Sequence, residues 1–287
     1  MSATISVVIP TFNSAQVIAN CLESLQSQRL APIDVVVSDG GSTDSTIAIA
    51  KSFGVKVIQG QANRSRQRNA GALAATGDYV VFIDADMRLT PGVLEECVES
   101  FRETDAALVI PEVDIGESFW ARVRGFERSF YHDDWWLQAA RCYRKSQFIV
   151  MRGFDVGLIG PEDWDLDERI RSVGDVRRIN AIIEHDEGKS NLQTLIRKKT
   201  HYASSFDEFR RRHPDRASLC FSRRRRIQSI VCQPSKVASH PLLALGLLWL
   251  GGTESLIINK PSRSRPTSVV EQPLDSTFNP ITEDFHS

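Results

Sequence analysis

Strands and helices alternate along the first 110 residues, and this alternation constrains the fold more than any other feature of the chain. Four short runs of β-branched and aromatic residues are separated by segments whose apolar residues have helical spacing. The runs are ISVVI (5–9), IDVVVSD (33–39), VKVI (55–58) and YVVFID (79–84). The last run lacks polar alternation, which is typical of a strand buried on both faces. The pattern predicts an α/β fold with a mostly parallel, Rossmann-like sheet flanked by helices.

Composition is that of an ordinary globular protein. The 287 residues are 41% hydrophobic and 25% charged, with a formal net charge of −1. The five cysteines form no CxxC pair, which favours reduced thiols inside a cell over a disulfide scaffold. We find no signal peptide and no apolar run of the roughly 20 residues that a membrane-spanning helix needs. A cytoplasmic protein is therefore expected.

Polar residues follow three of the predicted strands directly. Thr11, Asp39 and the pair Asp84 and Asp86 each lie just past the carboxyl end of a strand. In parallel sheets, ligands bind outside these ends, so we expect the four side chains to meet at one edge. This edge has the character of a nucleotide site.

Asp84 and Asp86 form a D-x-D motif, with two carboxylates on the same side of an extended backbone. Mg²⁺ and Mn²⁺ bind one or two carboxylates together with substrate phosphates, so the motif suits a metal-bound nucleotide. A solvated loop or a helix cap is the alternative. The position after a buried strand favours the metal.

Two neighbouring segments carry further candidates. Asp39 can accept hydrogen bonds from a base or a ribose, or can simply close an Asx-turn. Arg64 and Arg68 lie one helical turn apart, and guanidinium groups suit diphosphate oxygens, although many Arg-rich helices are only solvated faces. Arg68 is favoured because Asn69 and Gly71 allow its helix to approach the sheet closely.

Four blocks of sequence, in a fixed order and spacing, are similar to those of one enzyme family. The blocks are VVIPTFN, VVVSDGGSTDST, RNAGALAATGDYVVFIDADM and GFDVGLIGPEDWDLDERI, and they cover residues 4 to about 187. They resemble the family 2 glycosyltransferases, which have the GT-A nucleotide-sugar fold. The resemblance implies a metal-dependent transfer, with Mn²⁺ or Mg²⁺, of a sugar from a nucleotide-sugar donor to a glycan or lipid-linked acceptor, with inversion.

The resemblance also implies roles for individual residues. Those assigned to the nucleotide sugar are Pro10, Thr11, Phe12, Asp39, Arg68, Asp84 and Ala85. Those assigned to the metal are Asp86, Asp84 and His185. Asp163 is implied as the catalytic base. Glu162, Asp165 and Arg169 are candidates for acceptor binding or support.

The chemistry of an inverting transfer explains why a second acidic motif is expected. The acceptor hydroxyl attacks the anomeric carbon from the face opposite the departing diphosphate, so a base and a metal act on opposite faces of the sugar. EDWDLDER could otherwise be an acidic first helical turn that favours the helix dipole. Likewise, His185 could be structural, and Arg169 could pair with Asp165 on its own helix.

Beyond residue 110 the pattern is weaker. We divide the chain into a nucleotide-sugar half (1–110), an acceptor and catalytic half (111–190), a basic and apolar helical extension (191–260) and a disordered tail (261–287). Segments 147–151 and 176–185 are predicted as strands. The extension either contacts an anionic membrane on its cytoplasmic face or packs as ordinary helices. Its arginines match no nucleic-acid-binding module, so we expect no nucleic-acid partner.

Two rival functions remain open at this point. A polyprenyl-phosphate sugar transferase has an acceptor that is already an anion, so it would need no strong base. A catalytically silent nucleotide-sugar-binding or membrane scaffold protein is the second rival. The presence of both acidic motifs argues against the silent protein.

Overall fold

The structure is a computed structural model that describes residues 3–132, 134–188 and 191–258. Within these residues the chain forms ten strands, twelve α-helices and a 3₁₀ helix at Trp135–Leu137. The strands are β1 (Ile5–Thr11), β2 (Asp34–Asp39), β3 (Lys56–Gln59), β4 (Tyr79–Phe82), β5 (Met87–Leu89), β6 (Asp105–Val109), β7 (Glu112–Ile115), β8 (Cys142–Arg144), β9 (Asp175–Arg178) and β10 (Ile183–Asp186). The helices are α1 (Ile18–Gln26), α2 (Thr46–Ser52), α3 (Arg64–Ala74), α4 (Val93–Ser100), α5 (Phe119–Ser129), α6 (Lys145–Val150), α7 (Glu162–Ile170), α8 (Leu192–Arg212), α9 (Pro214–Cys220), α10 (Arg223–Val231), α11 (Pro234–Ser239) and α12 (Pro241–Ile258).

The main sheet has seven strands in the order β3-β2-β1-β4-β8-β6-β9. Every pairing is parallel except those of β8, which runs antiparallel to both β4 and β6. The chain first builds outward from β1 to β3 and then returns to place β4 on the other side of β1. The strand order therefore reverses between β1 and β4, which is where α/β sheets bind ligands. The mostly parallel sheet confirms the predicted fold class.

Alternation along β1 separates the two halves of the core. Ile5, Val7 and Ile9 belong to the apolar cluster that includes α1 and α4, whereas Val8 belongs to the cluster that includes α3, α6 and α7. All seven residues of β1 are buried. A strand with helices on both faces needs apolar side chains in both directions, which explains the continuous apolar run.

A second sheet of three strands lies beside the first, in the order β5-β10-β7. β5 begins directly after Asp86, and β10 pairs with it in antiparallel orientation. β10 also pairs with β7 in parallel, which places His185 opposite Asp114. This small sheet brings residues from three distant segments to the carboxyl edge of the main sheet.

The prediction of a strand at 147–151 is wrong, because residues 147–150 belong to helix α6. Phe148 is buried, but Ile149 and Val150 are 40% and 70% exposed. A short apolar run fits a strand and a buried helical turn equally well by pattern alone. The strand that lies between β4 and β6 is β8, at Cys142–Arg144.

The prediction of one strand at 176–185 is also wrong, because two strands in different sheets cover this segment. β9 pairs with β6 in the main sheet, and β10 pairs with β5 and β7 in the small sheet. Between them, Asn180 and Ala181 donate backbone hydrogen bonds to the carboxylate of Glu96. This side chain satisfies backbone groups where the chain leaves one sheet for the other.

The extension after β10 is helical, from α8 to α12. α12 packs on α5 so closely that a Cβ at Gly246 would lie 2.5 Å from Val123 Cγ2. Among the described helices, none is both long enough and apolar enough to cross a bilayer. The tail predicted at 261–287 lies outside the described residues, and the division of the chain into functional halves stays a prediction.

Candidate active site

A cavity of about 740 Å³ opens where the strand order of the main sheet reverses. It is lined by residues that follow β1 and β4, by the first turn of α7 and by the small sheet. The predicted site residues that line it are Pro10, Thr11, Phe12, Asp84, Ala85, Asp86, Asp163 and His185. The structure therefore brings both acidic motifs, which are about 80 positions apart in the sequence, to one cavity.

Asp39 lies beneath the cavity and is completely buried. Its carboxylate accepts hydrogen bonds from the backbone N–H groups of Gly41 and Ser42, at 2.9 and 2.8 Å, and from the Thr11 hydroxyl at 2.9 Å. These contacts close the turn after β2 and join it to the end of β1. Nucleotide recognition by Asp39 stays a prediction. Phe12, by contrast, presents a ring that is 54% exposed at the cavity.

Arg68 is a large charged side chain that is only 1% exposed. Its Nη2 lies 2.7 Å from Asp84 Oδ1, and its Nη1 lies 2.7 Å from Asp163 Oδ1. One guanidinium group thus joins the D-x-D motif to the predicted base. Arg68 reaches this position because α3 lies close to β1, where a Cβ at Gly71 would collide with Val8.

Asp84 is ionised because it is surrounded by arginines. Burial alone would raise the pKa of this carboxyl group, but the guanidinium groups of Arg68, Arg141 and Arg64 hold the pKa well below its usual range. Arg141 Nη1 lies 3.8 Å from Asp84 Oδ2. A fixed negative charge at this point suits hydrogen-bond donors such as ribose hydroxyls, or a cation.

Asp86 and His185 form the part of the cavity that fits a divalent cation. His185 Nε2 lies 3.4 Å from Asp86 Oδ2, and His185 Nδ1 lies 3.3 Å from Asp114 Oδ1. Asp86 Oδ1 is buried and has no hydrogen-bond partner within the described part of the chain. A carboxylate orienting a histidine through its far nitrogen is the usual arrangement behind a metal-binding histidine.

The charges around His185 are strongly coupled. Burial alone would lower the pKa of His185, but its hydrogen bonds to Asp114 and Asp86 raise the pKa to about 10. Burial would also raise the pKa of Asp114, yet Arg128 and His185 lower it to about 2. With Glu187, these two residues form a cluster whose ligand atoms lie within 4.8 Å of one another.

Three predicted residues lie behind the cavity rather than at its surface. Glu162 is buried and accepts a hydrogen bond from Arg64 Nε at 2.9 Å. Asp165 is buried and accepts hydrogen bonds from Arg169 at 2.9 Å and from His213 Nε2 at 2.8 Å. These contacts tie α7 to α3 and to the helical extension, and a supporting role for Asp163 stays a prediction.

Sequence reasoning missed Asp114 and Arg141. The alternating acids Glu112 and Asp114 on β7 face one side of a strand, which is a signal that could have been used. Arg141 precedes β8 without any motif. Its role depends on pairing with Glu112 and Asp84, and those partners are set by the tertiary structure.

Comparisons with known proteins agree with the geometry. The family model described as glycosyl transferase family 2 matches residues 6–154, just over half of the chain. The chondroitin synthase of Escherichia coli is 24% identical over 215 residues, covering 69% of this chain and 31% of the relative. The pre-mycofactocin glycosyltransferase of Mycobacterium tuberculosis is 28% identical over 235 residues, covering 75% and 49%. The chain spans about a third to a half of the length of these relatives.

Solved structures show the same fold. The mannosyltransferase PcManGT from Pyrobaculum calidifontis, in complex with GDP-Man and Mn²⁺, superposes with a TM-score of 0.60 at 17% identity, covering 89% of this chain and 81% of that one. TarS 1-349 of S. aureus, in complex with UDP-GlcNAc, gives 0.52 at 18% identity, covering 89% of each chain. At this level of identity the likeness establishes the GT-A fold.

Proposed function

The chain belongs to glycosyl transferase family 2, and on that premise we propose that it transfers a sugar from a nucleotide-sugar donor to an acceptor hydroxyl, with inversion at the anomeric carbon. The observation that carries the proposal is the single cavity shared by Asp84, Asp86, Asp163 and His185. Such a reaction needs a site for the leaving diphosphate and a proton acceptor on the opposite face of the sugar. The two acidic motifs supply one group for each task.

Donor binding is assigned to the end of the cavity formed by β1 and β4. Phe12 offers an exposed ring for the base, and Thr11 and Asp39 hold the turn on which that ring sits. Asp84 and Ala85 are assigned to the ribose. The Asp84 carboxylate can accept hydrogen bonds from ribose hydroxyls, because its arginine neighbours keep it ionised. Arg68 is paired with Asp84 and Asp163, so we assign it the task of fixing these two carboxylates.

Asp86, Asp84 and His185 would hold a divalent cation, Mn²⁺ or Mg²⁺. The unpartnered Asp86 Oδ1 and the nearby His185 Nε2 provide an oxygen and a nitrogen ligand, and Asp114 orients the histidine. When bound, such a cation neutralises negative charge that develops on the leaving diphosphate. PcManGT, which shares the fold, binds Mn²⁺ together with GDP-Man.

Asp163 is the proposed base. It lies in the first turn of α7, is hydrogen-bonded to Arg68 through Oδ1, and keeps 26% of its side chain exposed. An acceptor hydroxyl that binds beside it would donate its proton to the carboxylate as the oxygen attacks. Arg68 holds the carboxylate in place and keeps its direction fixed.

A thermal-shift screen of UDP-, GDP- and dTDP-sugars, each with Mn²⁺, Mg²⁺ or EDTA, tests donor and metal binding together. We expect one nucleotide class to raise the melting temperature in the presence of metal, because ligands that bind only the folded state stabilise it. Asp86→Ala should lose the metal-dependent part of that rise. A wild-type protein that none of the nucleotide sugars stabilises would contradict the proposal.

We also propose that the extension contacts an anionic membrane. The protein would then bind its glycan or lipid-linked acceptor at the membrane surface. Leu242, Leu245, Leu248 and Trp249 lie on one face of α12 and are between 61% and 73% exposed. α10 begins with the four arginines 223–226, of which three are exposed. Exposed apolar side chains near cations are typical of helices that lie in a membrane interface.

Co-sedimentation with vesicles tests this contact. We expect the protein to bind phosphatidylglycerol vesicles more strongly than phosphatidylcholine vesicles, and Leu245→Ser to weaken the binding. Leu73→Ser is the matched control, because Leu73 is also 61% exposed but lies on α3. Equal binding of both variants, or concentration-dependent dimers without vesicle binding, would contradict a membrane contact.

A further inference from the structure

Aromatic side chains from the second half of the chain line the same cavity as the predicted base. Trp164 belongs to α7, Tyr202 and Phe206 belong to α8, and Phe221 ends α9. We call these four residues the aromatic wall. All four lie beyond the part of the chain that matches the family model. The wall is thus a feature of this chain that the family match does not explain.

The rings of Trp164, Phe206 and Phe221 pack against one another. The centroids of Phe206 and Phe221 are 4.9 Å apart, and those of Trp164 and Phe221 are 6.2 Å apart. Phe209, which is completely buried, lies behind Trp164 at 5.8 Å. Close ring contacts of this kind add about 0.5–1.5 kcal/mol each beyond the burial of area. The wall is therefore a preformed surface.

Tyr202 has an additional anchor. The Cβ of Tyr202 packs directly against Gly160, which has a φ of 104°. A Cβ built on Gly160 would lie 2.7 Å from the Cβ of Tyr202. A residue other than glycine would be strained here and would also push Tyr202 away. This close approach connects α8 to the turn that leads into α7. Asp163 follows Gly160 by three residues.

The four rings are only half-buried, whereas the aromatic residues of the core, such as Phe82 and Phe148, are fully buried. Each ring of the wall therefore leaves part of its surface to the cavity. Folding alone would favour covering that surface, since about 25 cal/mol is gained for each Å² of apolar area buried. An apolar ligand surface that enters the cavity would gain the same stabilisation.

We propose that the aromatic wall is an acceptor subsite that stacks the C–H face of a pyranose ring in a glycan acceptor. Trp164 directly follows Asp163 in the first turn of α7, and both residues line the cavity. A sugar lying on the wall would therefore have its hydroxyls in the same cavity as the Asp163 carboxylate. A pyranose combines an apolar face with a rim of hydroxyls, and pockets for such ligands combine aromatic surfaces with a few polar groups. This assignment rests on the proposed transferase function.

The surroundings of the wall favour a sugar over an isoprenoid chain. Gln138, Arg226 and the Tyr202 hydroxyl provide polar groups in the same cavity, and these can serve sugar hydroxyls. The exposed aliphatic side chains of the extension lie instead on α10 and α12, and none of them lines the cavity. An isoprenoid would find its apolar partners there rather than at the wall.

The test separates acceptor binding from donor binding. Wild-type protein, Phe206→Ala and Tyr202→Ala are applied, with the stabilising nucleoside diphosphate and Mn²⁺, to an array of immobilised oligosaccharides that covers the common hexoses, hexosamines and uronic acids. Phe53→Ala is the matched control, because Phe53 is a half-buried aromatic residue at the end of α2 and outside the cavity. The nucleotide-induced rise in melting temperature is measured for all four proteins.

We expect the wild type and Phe53→Ala to bind the same glycans, and each wall variant to bind them about five- to tenfold more weakly, as the loss of one stacking contact predicts. The nucleotide-induced rise should be equal in all four. The inference is overturned if the wall variants bind the glycans as well as the wild type does, or if the wild type binds no glycan on the array. A wild type without any nucleotide-induced rise would instead contradict the proposed function.

Discussion

Replacing Arg68 tests how strongly the two acidic motifs are coupled. Arg68→Met keeps the length of the side chain but removes the charge that pairs with Asp84 and Asp163. Removing one partner of a buried ion pair costs about 3–5 kcal/mol, because the other charge stays buried without compensation. Arg141 lies near Asp84, and Asp163 is 26% exposed, so both carboxylates keep some compensation. We therefore expect the free energy of unfolding to fall by an amount near the lower end of this range, about 3 kcal/mol.

This loss corresponds to a melting temperature about 6–12 °C lower for a chain of this size. Chemical denaturation measured by circular dichroism provides the free energy of unfolding directly. Arg68→Lys is the informative companion variant, because a single ammonium group keeps the charge but cannot form the forked contact to both carboxylates. The free energy of unfolding of Arg68→Lys should lie between those of the wild type and Arg68→Met.

A double-mutant cycle identifies the contact responsible. In an Asp163→Asn background, Arg68→Met should cost clearly less than in the wild type, because part of the interaction is already absent. A loss below about 1 kcal/mol for Arg68→Met, which is the range of an exposed ion pair, would refute the reasoning. So would full additivity of the two substitutions.

Three further outcomes are expected. Asp105→Asn should destabilise the protein at neutral pH and progressively less in acid. Burial would raise the pKa of Asp105 but its hydrogen bonds to an arginine lower it, and a carboxyl with a lowered pKa in the folded state loses its stabilising effect as the pH falls. Denaturation at pH 7 and pH 3 measures the loss of stability, and an equal loss at both pH values would contradict this expectation. Gly71→Ala should cost about 1–3 kcal/mol and weaken nucleotide binding, since its Cβ would collide with Val8; calorimetry with the selected nucleotide should find weaker binding, and wild-type affinity would show that α3 shifts without consequence. Asp114→Ala should weaken Mn²⁺ binding about ten- to a hundredfold by releasing His185 from its orienting hydrogen bond; unchanged calorimetric affinity would remove Asp114 from the metal site.

The first half of the chain could be predicted from its sequence because local and tertiary preferences agree there. The four predicted strands are present as β1 to β4, and their continuous apolar runs match burial on both faces. Once the sheet is parallel, residues that follow different strands must meet at one edge. The shared position of Thr11, Asp84 and Asp86 follows from that rule.

The second half could not be predicted to the same extent because distant partners decide its structure. The segment 147–151 has a strand-like composition, but most of it forms helix α6. A contact of Arg68 with the diphosphate stays a prediction, and its pairing with two carboxylates from other segments could not be predicted from the sequence. The aromatic wall combines residues between positions 164 and 221 that share no periodic pattern.

The most direct test of the account is transfer by Asp163→Asn, measured in a single turnover with the nucleotide sugar that the thermal-shift screen selects. The account predicts a transfer rate about 10²–10⁴-fold below that of the wild type, which is the usual contribution of a general base. The affinity for donor and metal should stay within about twofold, because Asp86 and His185 are unchanged. A variant that is folded, binds the donor and transfers sugar at nearly the wild-type rate would contradict the role of Asp163, and would favour an acceptor that is already an anion.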